Sequence, residues 1–329
     1  MRPKNSPRGR MAAALMVGVL LAAPTQAATK LRFAHAGPES DTQHAAAREF
    51  ARLVEERTHG EIRVQIFPNN MLGNDQAMIA GVRGGTIDME MSGNPNFTGL
   101  APKLNAFDLP YVFRDAAHAH RVLDGEPGQR ALAELGEHEL KGLAFWEVGF
   151  RSITNSKHPV QGPEDVRGLK IRTSSNAAHV HMFELLGANP VPMPIAELYN
   201  ALEMKAVDAQ EHPVGITWAA HYDEVQKYLS LTRHAYTAMI VVMNKAKFDA
   251  LPAGHQQVLV EAAREAGQFQ RDLNAAKEAE MIAELRERGM EVIEGIDSEP
   301  FRRVAAGPVR QVYVEKHGSE LVEAIDAAQ

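Results

Sequence analysis

The chain contains no cysteine. That excludes thiol nucleophiles, disulfides and every Cys-ligated metal site, and it fits an oxidising compartment in which no disulfide is used. Basic character is also scarce. The 35 Lys and Arg stand against 42 Asp and Glu, a net charge of −7 without any basic run, so nucleic acid is not an expected partner. The sequence Gly81-Val82-Arg83-Gly84-Gly85 lacks the glycine spacing that brings backbone up to a pyrophosphate. There is no phosphate loop ending in Gly-Lys-Ser/Thr and no serine nucleophile elbow. His138-Glu139 lacks the second histidine of a zinc-protease helix. These absences argue against an enzyme, and no cofactor is expected.

Long apolar runs are missing apart from one near the N-terminus. Arg2, Lys4, Arg8 and Arg10 precede an apolar stretch from Met11 to Ala23, and Thr25-Gln26-Ala27 follows with small residues. This reads as a secretory signal peptide over residues 1–27, cleaved near Ala27, because the run is short for a bilayer core of about 30 Å. Losing its four positive charges takes the mature chain from −7 to −11. The expectation is a soluble, acidic, periplasmic protein and a monomer. Its length is enough for about two domains.

What is present alternates between strand and helix periods. Leu31, Phe33 and His35 share one face of a strand, and Ser40-Asp41-Thr42-Gln43 reads as a capping box opening a helix through Val54. Ile62, Val64 and Ile66 form a second strand. A short helix over Asp75–Arg83 follows, then a third strand from Thr86 to Met91. The pattern restarts with strands at Leu143–Val148, Ser152–Asn155, Leu169–Arg172 and Val207–Gln210, interleaved with helices from Ala177 and Ile195. A long helix covers Ala253 to Glu287, followed by a short strand and a terminal helix. Strand and helix at these spacings predict an α/β fold with parallel, doubly wound sheet.

Open α/β sheets bind ligands beyond the carboxyl ends of their strands. That marks His35, Ser92-Gly93-Asn94, Arg172 and Glu211-His212 as candidate site residues. Glu211 and His212 are adjacent on a strand and face opposite ways, so they make a weak acid/base pair or metal site. His118/His120 and His179/His181 fall two apart on helices, point apart, and read as exposed or partly buried histidines. Arg172 and Arg151 sit in apolar surroundings, where a guanidinium needs an anionic partner. Two partners satisfy that need: an internal Asp or Glu, or the carboxylate of a ligand held bidentately.

At these residues the sequence resembles the solute-binding proteins of TRAP (tripartite ATP-independent periplasmic) transporters. The blocks that carry the resemblance are Arg167-Gly168-Leu169-Lys170-Ile171-Arg172, Leu186 to Met193, Glu197 to Leu202, Val207 to Pro213 and Glu224 to Leu229. Leu72-Gly73, Gly85-Thr86-Ile87-Asp88 and Leu109-Pro110-Tyr111-Val112 add to it, so it spans nearly the whole mature chain. The resemblance implies a periplasmic binding protein-like fold. Two α/β domains, joined by crossing strands and a long helix, would close over a cleft. They are expected over 28–149 plus about 238–277, and 150–237 plus about 278–329. It implies a small organic acid as ligand, whether a sugar acid, a C4-dicarboxylate or a hydroxy acid, and TRAP membrane permease subunits as partners. Arg172 falls on the arginine that pairs with the ligand carboxylate and Arg151 on a second one; Asn94, Ser175 and Ile195 fall on ligand-lining positions. His212 stands where relatives carry an Asn that reaches the ligand, and a charged imidazole there would add a second cation. Two other classes use the same cleft: an exported sugar-acid enzyme with Glu211 or His212 as base, and a sensor for a membrane kinase.

Overall fold

The structure, a computed structural model, describes residue 1 and residues 28–328 of the 329. The signal peptide expected over 1–27 therefore lies, apart from Met1, outside the described residues. Three strands build one end of a mixed sheet: β1 (Thr29–His35), β2 (Ile62–Phe67) and β3 (Met89–Gly93), with β1 parallel to both neighbours. Three more build the other end: β5 (Lys170–Thr173), β6 (Asn189–Pro192) and β7 (Ala209–His212), with β5 parallel to both. Between them run β4 (Leu140–Asn155) and β8 (Tyr228–Asn244), antiparallel to each other. The strand order is β2-β1-β3-β8-β4-β7-β5-β6, and β9 (Glu291–Ile293) pairs with the early part of β8. Each end is thus parallel, as the sequence predicts, but the two ends join through antiparallel strands.

Sequence periodicity splits β4 into two strands and does not mark β8. Both are long because they serve both ends of the sheet: Met239–Met243 pairs with β3, while Tyr228–Ser230 meets the end of β4 beside β7. Register shifts at Gly142/Ala144, Glu147/Gly149 and Arg151/Ile153 bend β4 as it crosses. Such bulges increase local twist and re-aim side chains. The first helix starts at Thr42, and Asp41 rather than Ser40 caps it, because the Asp41 carboxylate accepts the Gln43 amide. The terminal helix is two, Glu299–His317 and Glu320–Ala327, broken at Gly318 with φ +83°.

The 35-residue helix Ala253–Glu287 packs with the helix Thr42–Arg57 over β4 and the first end of the sheet. Trp146 on β4 fixes that packing: its indole donates to the Ala263 carbonyl at 2.7 Å. Gly267 gives the ring its room, since a Cβ there would stand 2.7 Å from Trp146 Cδ1. Gly267→Ala is expected to lose about 1–3 kcal/mol in urea unfolding, despite alanine's better helix propensity. No helix among the described residues is long and apolar enough to cross a membrane.

Candidate functional site

A cavity of about 330 Å³ opens between the two ends of the sheet. Arg172 on β5, Ser175 beyond it, Ile195 and His212 line one side; Gly37, Asn70 and Asp75 line the other; Arg151 and Thr237 on the crossing strands form the floor. The carboxyl ends of β1, β3, β5 and β7 all point here, as the strand-end rule requires.

The two arginines divide the alternatives that the sequence leaves open. Arg151 is paired internally. Its Nε meets the Glu211 carboxylate, its Nη2 donates to Glu211 Oε1 at 2.8 Å and to the Glu211 carbonyl at 2.5 Å, and its Nη1 donates to Thr237 Oγ1 at 3.0 Å. His234 Nε2 adds a contact to Glu211 Oε2 at 3.2 Å. Burial pushes the Glu211 carboxyl up, but Arg151, His234 and His179 together hold it well below the usual carboxylate range. Arg172 is equally buried, at 3% exposure, yet forms no ion pair among the described residues. Its Nε and Nη2 donate to the Met193 carbonyl at 3.0 and 2.7 Å, and its Nη1 lies 3.3 Å from His212 Nε2. Burial lowers its pKa. A buried guanidinium with no carboxylate in contact costs several kcal/mol, which an anion reaching the cavity would offset.

The hydrogen-bond pattern fixes the state of His212. Arginine only donates, so Nε2 accepts from Arg172, and Nδ1–H donates to Gln210 Oε1 at 2.5 Å. Gln210 in turn donates to Thr154 Oγ1 at 2.9 Å, and Thr154 to Gln226 at 2.9 Å. Burial first, then Arg151 and Arg172, push the imidazole well below 6.5. His212 is therefore a neutral acceptor that steers Arg172, and the charged form envisaged from the sequence is disfavoured. Glu211 and His212 do face opposite ways, Glu211 into the Arg151 pair and His212 into the cavity.

Three expected site residues stand elsewhere. Glu211 lies behind Arg151, outside the cavity lining. His35 turns away, with Nε2 3.1 Å from His44 Nδ1, and burial together with His44 lowers its pKa to about 4. The Asn94 amide donates to Asp108 at 2.7 Å and to the Leu104 carbonyl at 2.9 Å, so its neighbours Gly93, Pro95 and Asn96 line the cavity instead. In each case a strand end fixes where the backbone arrives, not where the side chain turns. The helical histidines also differ from expectation. His118 and His179 are fully buried, His118 against the Ile325 carbonyl at 2.9 Å and His179 with Nδ1 3.9 Å from Glu211.

Sequence reasoning passes over Asp75, Tyr222 and the Asn69-Asn70 turn. The strand-end rule, extended to β2, covers Asn69 and Asn70, both at positive φ just beyond it. Asp75 opens a helix in a polar loop and carries no comparable signal.

The chain matches the DctP family, bacterial extracellular solute-binding protein family 7, over residues 33–316. It is 48% identical over 320 residues to the 2,3-diketo-L-gulonate-binding periplasmic protein YiaO of Escherichia coli, covering 96% of this chain and 98% of that protein. Among solved structures, a TRAP periplasmic solute-binding protein from a Polaromonas species bound to D-erythronate superposes with a TM-score of 0.89, at 34% identity over 92% of this chain and 99% of that one. The sugar acid binding protein DctPAm from Advenella mimigardefordensis, in complex with galactonate, gives 0.87 at 33% identity over 92% and 98%.

Proposed function

This chain belongs to the bacterial extracellular solute-binding proteins of family 7, TRAP transport receptors rather than enzymes, and on that premise we propose a role for its cavity. The cavity captures a small organic acid, with the carboxylate seated on the fork of Arg172. The observation that carries this reading is the contrast between the two buried arginines: Arg151 has its counter-ion built in, and Arg172 has none. A ligand carboxylate supplies it, with Arg151 Nη1 and the Tyr222 hydroxyl, whose pKa burial raises to about 12, as further donors on the wall. The ligands named for the relatives, 2,3-diketo-L-gulonate, D-erythronate and galactonate, favour a sugar acid.

Closure is the second part of the proposal. The domains expected over 28–149 plus about 238–277 and 150–237 plus about 278–329 change over near the β4 register shifts, within β8 and within the helix Ala253–Glu287. Ligand would bind the closed state preferentially and shift the population towards it. That state then docks on permease subunits, from the periplasm in which the family works, with the mature chain a monomer starting near Ala28. Glu211 as a catalytic base is disfavoured, since its carboxylate is committed to Arg151.

A thermal-shift screen of carboxylates tests the class. A ligand at about 1,000 times its Kd adds about 4 kcal/mol of stability. Sugar acids are expected to raise Tm and neutral sugars not to; the reverse contradicts the proposal. His212→Asn is expected to change the ranking of acids, because an amide replaces the Arg172-steering acceptor. The sign for pH follows from its depressed pKa: neutral His212 contributes stability above 6.5 that is lost as pH falls towards the lower folded value. Binding by wild type and variant is therefore expected to have the same pH profile between 5.5 and 8 in titration calorimetry. A wild-type gain on acidification that the variant lacks would show a charged His212.

A further inference from the structure

Asp75 stands in the wall of the same cavity as Arg172, at the start of the helix Asp75–Arg83. Alternation along β3 sends Met89 and Met91 into the core beneath the helix Thr42–Arg57 and turns Glu90 and Ser92 to the other face, towards Asp75. Ser92 Oγ lies 2.6 Å from Glu90 Oε2 and 3.0 Å from Asp75 Oδ1. A hydroxyl has one proton to donate. Two ionised carboxylates on it would leave one contact without a hydrogen and two anions side by side in a buried place. One carboxyl is therefore protonated.

The surroundings select Glu90. It is fully buried, its Oε1 has no hydrogen-bond partner, and it forms no ion pair among the described residues. Burial raises the Asp75 pKa as well, but Asp75 borders the cavity, and its Ser92 hydrogen bond and the charge of Arg172 oppose the rise, whereas the neighbouring Asp75 charge adds to that of Glu90. Burial, reinforced by Asp75 and only partly opposed by Ser92, holds Glu90 well above the usual carboxylate range.

We infer that a neutral Glu90 donates to Ser92, that Ser92 donates to Asp75 Oδ1, and that the other Asp75 oxygen is thereby fixed as an anionic acceptor facing the cavity. Resting on the Arg172 reading, this makes Asp75 the residue that chooses among acids, with Glu90 and Ser92 as positioning residues. A ligand whose carboxylate sits on Arg172 offers its far end to Asp75. A hydroxyl there donates a charge-assisted hydrogen bond, whereas a second carboxylate meets a fixed negative charge. The site accepts hydroxylated monocarboxylates and rejects dicarboxylates.

Calorimetry at pH 7 on the full mature chain reads this, with succinate set against the tightest binder of galactonate, D-erythronate and 2,3-diketo-L-gulonate. The wild type is expected to prefer the sugar acid by about 100-fold or more. Asp75→Asn should shrink that preference at least about tenfold, losing sugar acid and gaining succinate. Ser92→Ala leaves the Asp75 charge but frees its orientation, and should weaken the sugar acid about tenfold while succinate stays excluded. Infrared difference spectra should show a protonated-carboxyl C=O band at pH 7 that Glu90→Gln removes. A preference unchanged in Asp75→Asn and Ser92→Ala, a wild type that favours succinate, or no such band overturns the inference and leaves the Arg172 clamp standing. A wild type that binds no carboxylate overturns the clamp, and this inference with it.

Discussion

Arg172→Ala is expected to weaken binding of the acid ligand by about 2–5 kcal/mol, a loss on the order of 30- to 5,000-fold in Kd, because the carboxylate loses a desolvated bidentate partner. The same substitution should leave the ligand-free protein as stable as wild type or slightly more so. Arg172 contributes two hydrogen bonds to the Met193 carbonyl and one to His212 Nε2 but no ion pair, and removing a buried cation without a contacting counter-ion relieves its desolvation cost. Arg172→Lys keeps the charge but not the planar fork, so its affinity should fall between the two. Calorimetry for binding and urea unfolding for stability separate these effects. An arginine whose loss unfolds the protein while sparing affinity would be structural.

Glu211→Gln should do the opposite. It leaves Arg151 buried opposite a neutral amide, and breaking a buried pair in this way costs about 3–5 kcal/mol of stability. The pH dependence has a defined sign. Glu211 has its folded pKa held well below the ordinary 4.5, so its stabilisation is complete above that value and is lost as pH falls through the folded value. The stability gap between wild type and variant should therefore be widest near neutral pH and close in acid. Equal urea midpoints at pH 7 would mean that the buried Arg151–Glu211 pair contributes no net stability.

Much of this site was legible in the sequence for one physical reason: strands alternate. Period two placed Glu211 and His212 on opposite faces, and an arginine amid Leu169 and Ile171 announced a buried charge. What alternation cannot give is the partner. Nothing local says that Arg151 meets Glu211, 60 residues away in sequence, and that Arg172 does not. Nor does it give side-chain direction at the end of an element, which is why His35 turns to His44 and Asn94 to Asp108. The crossing strand β8 escaped because Ala235 to Asn244 is buried on both faces, leaving no apolar–polar alternation to read. Asp75 escaped because a polar residue opening a helix reads as capping chemistry.

The central claim is that a carboxylate on Arg172 is what the cavity recognises. The most direct measurement is calorimetry of galactonate against galactitol, which has the same carbon chain and hydroxyl pattern but carries CH₂OH in place of the carboxylate, with D-erythronate paired to erythritol in the same way. Tight binding of the acid and no detectable binding of its alditol is the predicted result. An alditol that binds within about tenfold of its acid, a difference of about 1.4 kcal/mol, would contradict the account.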